Sequence, residues 1–177
     1  MTDRHPLPRC WLLTDPRQGE ALWQVLERMP HGAGVIFRHY GASDRRALFG
    51  RVQAIARRRR LILLLAGPPA LAAAWRADGS YGGDHRRPSR RAPIKAAAAH
   101  GPAELVAAKR NGAAVVLLSP VFPTRSHPGA RGLGRVRFSA LARHSRLPVI
   151  ALGGMDQRRA RSLPAYGWAG IDGWIRT

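Results

Sequence analysis

The chain has 177 residues, a length that suits one domain over residues 1–177, and no apolar run approaches the roughly 18 residues of a membrane span. Apolar residues make up 45% of the chain, which excludes a disordered protein, and the single cysteine, Cys10, excludes an internal disulfide. The N-terminal MTDRHPLPRC lacks the apolar core of a signal peptide, so we expect a soluble cytoplasmic protein with no membrane partner.

The chain is strongly basic, with 30 Lys and Arg against 10 Asp and Glu and a net charge of +20. Such a field attracts polyanions and speeds the encounter with phosphorylated ligands. The arginines spread from Arg4 to Arg176, and Lys95 and Lys109 are the only lysines, which is typical of an arginine-rich and alanine-rich genome. We therefore expect a phosphorylated small molecule as the partner rather than nucleic acid, and a homo-oligomer stays open.

The first half of the chain alternates short apolar runs with amphipathic segments. The apolar runs predict strands at 10–15, 34–38 and 61–66, and apolar residues at helical spacing predict helices at 18–29, 43–59 and 68–75. Ser43 is a candidate N-cap for the second of these helices. The continuous apolar run at 61–66 is typical of a strand that is buried on both faces of a parallel sheet.

The second half of the chain begins with the segment that has the weakest pattern. Residues 77–91 (ADGSYGGDHRRPSRR) contain so much Gly, Arg and Pro that we expect an exposed loop with almost no strand or helix. Beyond this segment the patterns predict strands at 92–99, 114–122, 147–154 and 169–174, and helices at 101–111, 137–145 and 156–165.

Strand and helix thus alternate seven or eight times, at a spacing of about 20–25 residues, which predicts a parallel α/β fold. Two architectures fit this pattern, the doubly wound open sheet and the (β/α)8 barrel. The number of strands favours the barrel, whereas a barrel usually takes about 200–250 residues. We expect a compact (β/α)8 TIM barrel with short helices and a degenerate fourth β/α unit.

Functional residues gather at the C-terminal ends of the strands in either architecture. The residues there are mostly cationic, and a set of them could converge on an anion: Arg38, Arg125, His127 and Arg131. Gly153 and Gly154 enter the last helix and could offer backbone N–H groups to a phosphate, or they could form only a tight turn. His127 and His100 could move a proton near neutral pH, or they could be a solvated loop residue and a helix-terminal residue.

Carboxylates are scarce near the predicted strand ends, where Asp15, Asp84 and Asp172 are the candidates for a Mg²⁺ site. Asp15 could equally cap the helix that follows it. Zinc is not expected, because the His and Cys residues never occur as CxxC or HxxxH pairs. A hydrolase triad at Ser119 or Ser126 has no support in the sequence.

Several motifs together resemble the thiamine phosphate synthase/TenI family: WLLTD at the first strand, VIFR at the second, SPVFPTRSHPG at the sixth and PVIALGG at the seventh. With a closing Gly-rich strand, the resemblance extends from about Pro8 to Trp174. It implies a (β/α)8 barrel with a phosphate pocket. The synthase branch of the family joins a hydroxymethylpyrimidine diphosphate to a thiazole phosphate and releases pyrophosphate, using Mg²⁺. The TenI branch includes a thiazole tautomerase that needs no metal.

The resemblance also implies roles for individual residues. Arg38 matches the arginine that grips the diphosphate, and Gly153 and Gly154 match the pair whose backbone holds the thiazole phosphate. The substrate-binding loop motif is matched by Thr124, Arg125 and Ser126, with His127 where the family has lysine. A second acid falls near Asp84, and only His100 remains of the family's Ser-x-His after the fifth strand.

Other positions depart from the family pattern. Ile36 and Tyr40 replace a glutamine and a lysine beside Arg38, and Ala66 and Gly67 stand where the family has Asn-Asp. Without the third-strand acid the resemblance implies a poor Mg²⁺ site, although arginines can partly compensate for a metal on a diphosphate. Two alternatives to the synthase reaction stay open, a TenI-like tautomerase using His127 or His100, and a catalytically inactive homologue that binds a phosphate ligand.

Overall fold

A computed structural model of the chain describes residues 6–82, 94–124, 129 and 131–175. Eight parallel strands form a closed barrel in which each strand pairs with its neighbours in the sequence and β8 pairs with β1. The strands are β1 (Cys10–Leu13), β2 (Gly34–Phe37), β3 (Ile62–Gly67), β4 (Gly79–Gly82), β5 (Ile94–Ala99), β6 (Val115–Leu118), β7 (Val149–Ala151) and β8 (Gly167–Gly170). The barrel predicted from the strand count is therefore confirmed, and the open sheet is excluded.

The helices connect successive strands and are short. They are α1 (Ala21–Arg28), α2 (Arg45–Arg58), α3 (Pro69–Ala74), α4 (Pro102–Arg110), α5 (Gly134–His144) and α6 (Gln157–Ala160), with 3₁₀ turns at Pro16–Gln18 and Asp172–Trp174. These short connections explain how a barrel fits into fewer residues than usual. None of the described helices has the length and apolar character needed to cross a membrane.

The side chains of the strands alternate between the inside of the barrel and the layer beneath the helices. In β1, Trp11 and Leu13 belong to the apolar cluster inside the barrel, whereas Leu12 packs in the outer layer. Gly34 pairs with Trp11, and a side chain at Gly34 would collide with the Trp11 indole. The interior is therefore a filled core, and ligand access is confined to the ends of the barrel.

The fourth unit differs from the sequence prediction, which placed almost no strand in 77–91. Residues Gly79–Gly82 form β4 and pair with both β3 and β5. A side chain at Gly79 would collide with the Ile94 carbonyl, so glycine permits close strand pairing here rather than breaking the strand. The rest of the predicted loop, from residue 83 onward, lies outside the described residues.

Three smaller predictions are also wrong. The last strand is Gly167–Gly170 rather than 169–174, because Asp172–Trp174 turns into a 3₁₀ helix whose Gly173 packs against the Met155 carbonyl. The last predicted helix shortens to four residues, Gln157–Ala160. Ser43 is not an N-cap, because α2 begins one residue later, after Asp44.

Candidate functional site

The candidate site lies at the mouth of the barrel formed by the carboxyl ends of the strands. Beneath the mouth, the interior is closed by apolar side chains that include Leu13, Ile36, Ala66 and Ile171. Because the strands are parallel, every residue that follows a strand lies around this one rim. The rim is therefore the surface where the charged residues predicted from the sequence can meet a ligand.

Arg38 follows β2 and takes part in an ion-pair cluster with residues that follow β1. Its Nη2 lies 3.5 Å from Asp15 Oδ2, and its side chain is 24% exposed. Arg17 donates to the same carboxylate from Nε to Oδ1 at 2.7 Å and from Nη2 to Oδ2 at 3.1 Å. Arg17, chiefly through its hydrogen bond, and Arg38, through its charge, hold the pKa of Asp15 below its usual value. One ionised carboxylate thus lies between two guanidinium groups.

Asp15 also has the structural role that was one of its two predicted alternatives. Its side chain accepts a hydrogen bond from the Arg17 backbone N–H at 3.1 Å, and Gln18 Oε1 accepts the Asp15 N–H at 2.9 Å. This reciprocal capping box fixes the 3₁₀ turn after β1. Gln18 also donates to the carbonyl of Ile171 at 3.1 Å, which ties the first and last strand ends together.

A buried pair, Thr14 and His39, lies directly behind Arg38. Thr14 Oγ1 is 2.9 Å from His39 Nδ1 and accepts the Arg38 backbone N–H at 3.0 Å. Burial chiefly, and then the charges of Arg38 and Arg45, hold the pKa of His39 below its usual value, and this outweighs the opposing effect of Asp15 and Asp44. His39 is therefore neutral around physiological pH.

Arg45, the first residue of α2, is a contributor that sequence reasoning did not identify. Its Nη2 donates to the carbonyl of Arg38 at 3.2 Å and to the carbonyl of Ala66 at 2.7 Å. Its guanidinium also lies 5.5 Å from the centre of the Tyr40 ring and 5.4 Å from that of Trp75. Arg45 thus ties the ends of β2 and β3 together at the rim.

Tyr81 is a second residue that the sequence pattern did not identify. It lies in β4 and packs against the apolar cluster inside the barrel. Burial raises the pKa of Tyr81 to about 12, so its hydroxyl keeps its proton at neutral pH. The alternation of β4 could have identified it, but a Gly-rich segment gives too weak a strand signal for that inference.

Gly153 and Gly154 form a turn after β7, with φ angles of 96° and 60°. A Cβ at Gly153 would lie 2.7 Å from Pro120 Cα, and one at Gly154 would lie 2.7 Å from the Pro123 carbonyl oxygen. The Phe122 N–H also donates to the Gly153 carbonyl at 3.1 Å. The glycines are therefore required by close packing against the loop after β6. No described residue accepts a hydrogen bond from their own N–H groups.

The structure describes only some of the other residues that were predicted from the sequence. His100 follows β5 and is exposed, with Nδ1 2.9 Å from Glu104 Oε2, and the same oxygen accepts its backbone N–H at 2.5 Å. His100 thus lies two residues before α4, with its side chain held by Glu104 in the first turn of that helix. Thr124 is half-buried at the end of the described part of its loop. Arg131 is exposed, and the structure does not show it converging with Arg38. The remaining predicted residues, Arg125, Ser126, His127 and Asp84, lie outside the described residues.

The described carboxylates do not form a Mg²⁺ ligand set. Over 6–82, 94–124, 129 and 131–175, no group of three His, Cys, Asp or Glu side chains could hold a metal ion. Both oxygens of Asp15 already accept hydrogen bonds from Arg17. The Mg²⁺ site expected at Asp84 therefore stays a prediction, and no chemical step is derived through a metal.

Comparisons with known proteins agree on one family. A family model described as thiamine monophosphate synthase matches residues 10–173. A protein of Aquifex aeolicus (strain VF5) named "Putative thiamine-phosphate synthase 2" is 30% identical over 179 residues, which cover 93% of this chain and 96% of that protein.

Solved structures support the same fold. The thiamine phosphate pyrophosphorylase of Pyrococcus furiosus superposes with a TM-score of 0.80 at 23% identity, over 98% of this chain and 90% of its own. The thiamine phosphate pyrophosphorylase of Bacteroides thetaiotaomicron gives a TM-score of 0.58 at 14% identity, over 93% of this chain and 83% of its own. At these identities the two superpositions show the barrel fold alone.

Proposed function

Since the chain belongs to the thiamine monophosphate synthase family, we propose that it is a transferase that forms thiamine phosphate. Its substrates are a hydroxymethylpyrimidine diphosphate and a thiazole phosphate, and its second product is pyrophosphate. Both substrates carry phosphate, which fits a rim that is rich in guanidinium groups. The substrate-binding residues of this proposal are Arg38, Thr124, Arg125, Ser126 and the pair Gly153–Gly154.

The observation that carries the proposal is that an arginine and a glycine turn, two features able to contact an anion, lie on one rim. Arg38 follows β2, and β7 is followed by Gly153 and Gly154, whose N–H groups donate to no described residue. Strands β8 and β1 separate them, so the two features lie roughly 15 Å apart around the rim, at about 4.8 Å for each of three strand spacings. Two phosphorylated substrates could therefore bind on opposite sides of the mouth and react between them.

The reaction proceeds by transfer of the pyrimidine methylene group. The bond between the methylene carbon and the diphosphate oxygen breaks, and pyrophosphate leaves with the electron pair. The thiazole nitrogen supplies the lone pair for the new C–N bond and becomes positively charged. Negative charge grows on the leaving diphosphate, where the Arg38 guanidinium can stabilise it by bidentate hydrogen bonds.

Asp15 and Arg17 orient Arg38 for this task. The carboxylate holds the Arg38 guanidinium at the edge of the rim, and Arg17 adds a second positive charge beside it. Without a compensating cation, the shared carboxylate would repel the diphosphate. The two arginines around one carboxylate keep the cluster net positive, as a site for an anion requires.

The test is synthesis of thiamine phosphate by the purified chain from both substrates, with and without Mg²⁺. We expect product formation, and we expect Arg38→Ala to lower kcat/KM by about 100-fold, because a lost electrostatic contact to the leaving group acts in the transition state. Arg110→Ala is the matched control, since Arg110 is an exposed arginine at the end of α4. A folded chain that forms no product under either condition would contradict the proposal.

The same assay separates the two alternatives from the synthase reaction. Exchange of a ring proton of the thiazole phosphate alone in D₂O, abolished by changing His100 and His127 together, would support a tautomerase. Calorimetric binding of thiazole phosphate or thiamine phosphate with neither product nor exchange would support an inactive binding protein.

A further inference from the structure

We propose that Thr14 and His39 are positioning residues that hold the backbone of Arg38 in place, and that this hold requires a neutral imidazole. The inference deepens the proposed function, because the anion that Arg38 is positioned to bind is the diphosphate of that reaction. Neither side chain is among the catalytic, substrate-binding or metal-binding residues predicted from the sequence. The evidence is a chain of hydrogen bonds behind the rim.

The direction of these hydrogen bonds follows from the donors available. Thr14 Oγ1 accepts the Arg38 N–H at 3.0 Å, so the Thr14 hydroxyl proton must point to another acceptor. Thr14 is fully buried, and His39 Nδ1 at 2.9 Å is the one acceptor for that proton among the described residues. A buried hydroxyl needs its partner, so Nδ1 is the acceptor and the imidazole proton resides on Nε2.

Both backbone polar groups of Arg38 are held by side chains. Thr14 accepts its N–H, and Arg45 donates to its carbonyl at 3.2 Å. The guanidinium beyond this backbone reaches the rim, where Asp15 lies 3.5 Å away. A shift of the Arg38 backbone would therefore move the guanidinium relative to the bound anion, and such small shifts weaken binding and catalysis strongly.

The backbone after Arg38 needs this support because its conformation is strained. His39 has a φ of +21°, which an L-residue adopts rarely. Its ring stacks on Phe37 with centroids 5.1 Å apart and an angle of 12° between the planes. The stack and the Thr14 hydrogen bond keep the imidazole in place, so the strained turn persists where it can hold Arg38.

Protonation of His39 would break this arrangement. The added proton occupies Nδ1, which then cannot accept the Thr14 hydroxyl. The charged groups around the ring are Asp15 after β1, Arg38 after β2, and Asp44 and Arg45 at the start of α2. Burial and the two arginines oppose a positive charge on the ring, and the two carboxylates only partly offset this effect. We therefore expect the hold on Arg38 to weaken as the pH falls below the ordinary histidine value of about 6.5.

The first readout is the protonation state of the ring, measured by ¹⁵N NMR of the full chain. The His39 signals are assigned by their loss in His39→Asn. At pH 8 we expect an unprotonated Nδ1 and a protonated Nε2. The opposite tautomer, or a cationic ring at pH 8, would overturn the hydrogen-bond chain regardless of what the protein catalyses.

The second readout is binding of inorganic pyrophosphate by calorimetry at pH 8. Thr14→Val keeps the shape of the side chain and removes its hydroxyl, and we expect binding to weaken about 10-fold, the cost of one unpaired buried group. Thr14→Ser restores the hydroxyl and should recover most of the affinity. A folded Thr14→Val that binds pyrophosphate as the unmodified chain does would overturn the positioning role.

The third readout compares pyrophosphate binding at pH 5 and pH 8, because the lowered pKa of His39 means that its ring gains a proton only below about pH 6.5. His39→Asn keeps an oxygen acceptor near the Nδ1 position, tolerates positive φ and cannot titrate. In this variant the loss of pyrophosphate affinity at pH 5 should shrink to the part that is caused by the ionisation of pyrophosphate itself. His31→Asn is the matched control, because His31 is exposed before β2, and it should keep the full loss. If His39→Asn loses as much affinity for pyrophosphate as the unmodified chain does, the requirement for a neutral imidazole is contradicted.

These readouts separate the two proposals. If the unmodified chain binds no pyrophosphate, the positioning role for a diphosphate fails, whereas the proposed function fails only if the chain also forms no thiamine phosphate. If pyrophosphate binds but neither variant changes its affinity or pH dependence, the synthase proposal stands and only the role of Thr14 and His39 is overturned.

Discussion

At the scale of single residues, Asp15 combines local structure with the charge of the site. Its carboxylate caps the turn after β1 and lies between Arg17 and Arg38. The two interpretations of this residue from the sequence were a metal ligand and a helix cap, and the cap is confirmed. Since both oxygens accept hydrogen bonds from Arg17, the residue acts by holding arginines rather than by presenting free oxygens.

The lowered pKa of Asp15 predicts how stability responds to acid. A carboxylate whose pKa is lower in the folded chain stabilises the fold above its ordinary value of about 3.8, and this contribution is lost as the pH falls through the folded value. We therefore expect Asp15→Asn to be less stable than the unmodified chain at pH 7. The difference between their free energies of unfolding should narrow below about pH 3.8.

Urea denaturation between pH 7 and pH 2.5 measures this effect. Asp44→Asn is the matched control, because Asp44 is exposed and its side chain makes no capping hydrogen bond. A gap for Asp15→Asn that stays constant over this range would show that its ion pairs do not stabilise the fold.

Only some of the residues of the site could be predicted from the sequence. Arg38, Gly153 and Gly154 could be identified because each follows an apolar strand, and the barrel places every strand end on one rim. The contact between Thr14 and His39 could not, because it depends on the register of β1 against β2 and on a positive φ at His39. Neither property leaves a pattern in one sequence.

At the scale of elements, the turn after β7 shows how close packing requires a glycine pair. The loop after β6 rests on this turn, with the Val121 N–H donating to the Leu152 carbonyl at 2.8 Å. Helix α6 has only four residues, so its dipole contributes little to anion binding. If the turn binds a phosphate as proposed, its backbone N–H groups rather than the dipole of α6 make the contact.

Gly153→Ala tests the packing part of this account. Gly112→Ala is the matched control, since Gly112 also has a positive φ, of 73°, but nothing lies within 4 Å of a Cβ there. We expect the control to lose about 1–2 kcal/mol from backbone strain alone. Gly153→Ala should lose about 1–3 kcal/mol more, because its Cβ meets Pro120.

Urea denaturation gives both free energies of unfolding. Equal losses for the two variants would mean that the loop after β6 can move away from the turn without cost. In that case the glycines would be required for their backbone conformation alone.

The sequence predicted which segments form strands better than it predicted the residues at which the strands begin and end. The apolar runs of β1, β2, β3 and β6 identified strands correctly, because a strand buried on both faces reads as continuous hydrophobic sequence. Strand β4 was missed since its residues are GSYG, and its stability comes from pairing with β3 and β5 rather than from its own composition. Such tertiary support overrides local propensity.

At the scale of the whole molecule, part of the charge of +20 has a structural explanation. Because the strands are parallel, the described helices end at the face opposite the rim. The last turns of α1, α2, α4 and α5 carry basic residues there: Arg28, Arg57, Arg58, Lys109, Arg110 and Arg143. Cations there interact favourably with the helix dipoles. These cations therefore stabilise individual helices, whereas the excess positive charges of the whole molecule repel one another.

This balance predicts opposite effects of salt on stability and on ligand association. Raising the ionic strength from about 0.01 M to 0.15 M shortens the screening length from about 30 Å to about 8 Å, which weakens the repulsion among the excess cations. We expect the Tm to rise by about 2–4 °C, which corresponds to about 1 kcal/mol for a chain of this size. The association rate of pyrophosphate should fall over the same range, because the same field attracts the anion from a distance.

Scanning calorimetry and stopped-flow kinetics in NaCl measure the two quantities. If one long-range field causes both effects, added NaCl must raise the Tm and lower the association rate of pyrophosphate. A Tm that falls with added NaCl would show that the local pairs, such as those of Asp15 with Arg17 and of Glu27 with Arg58, outweigh the repulsion of the whole molecule.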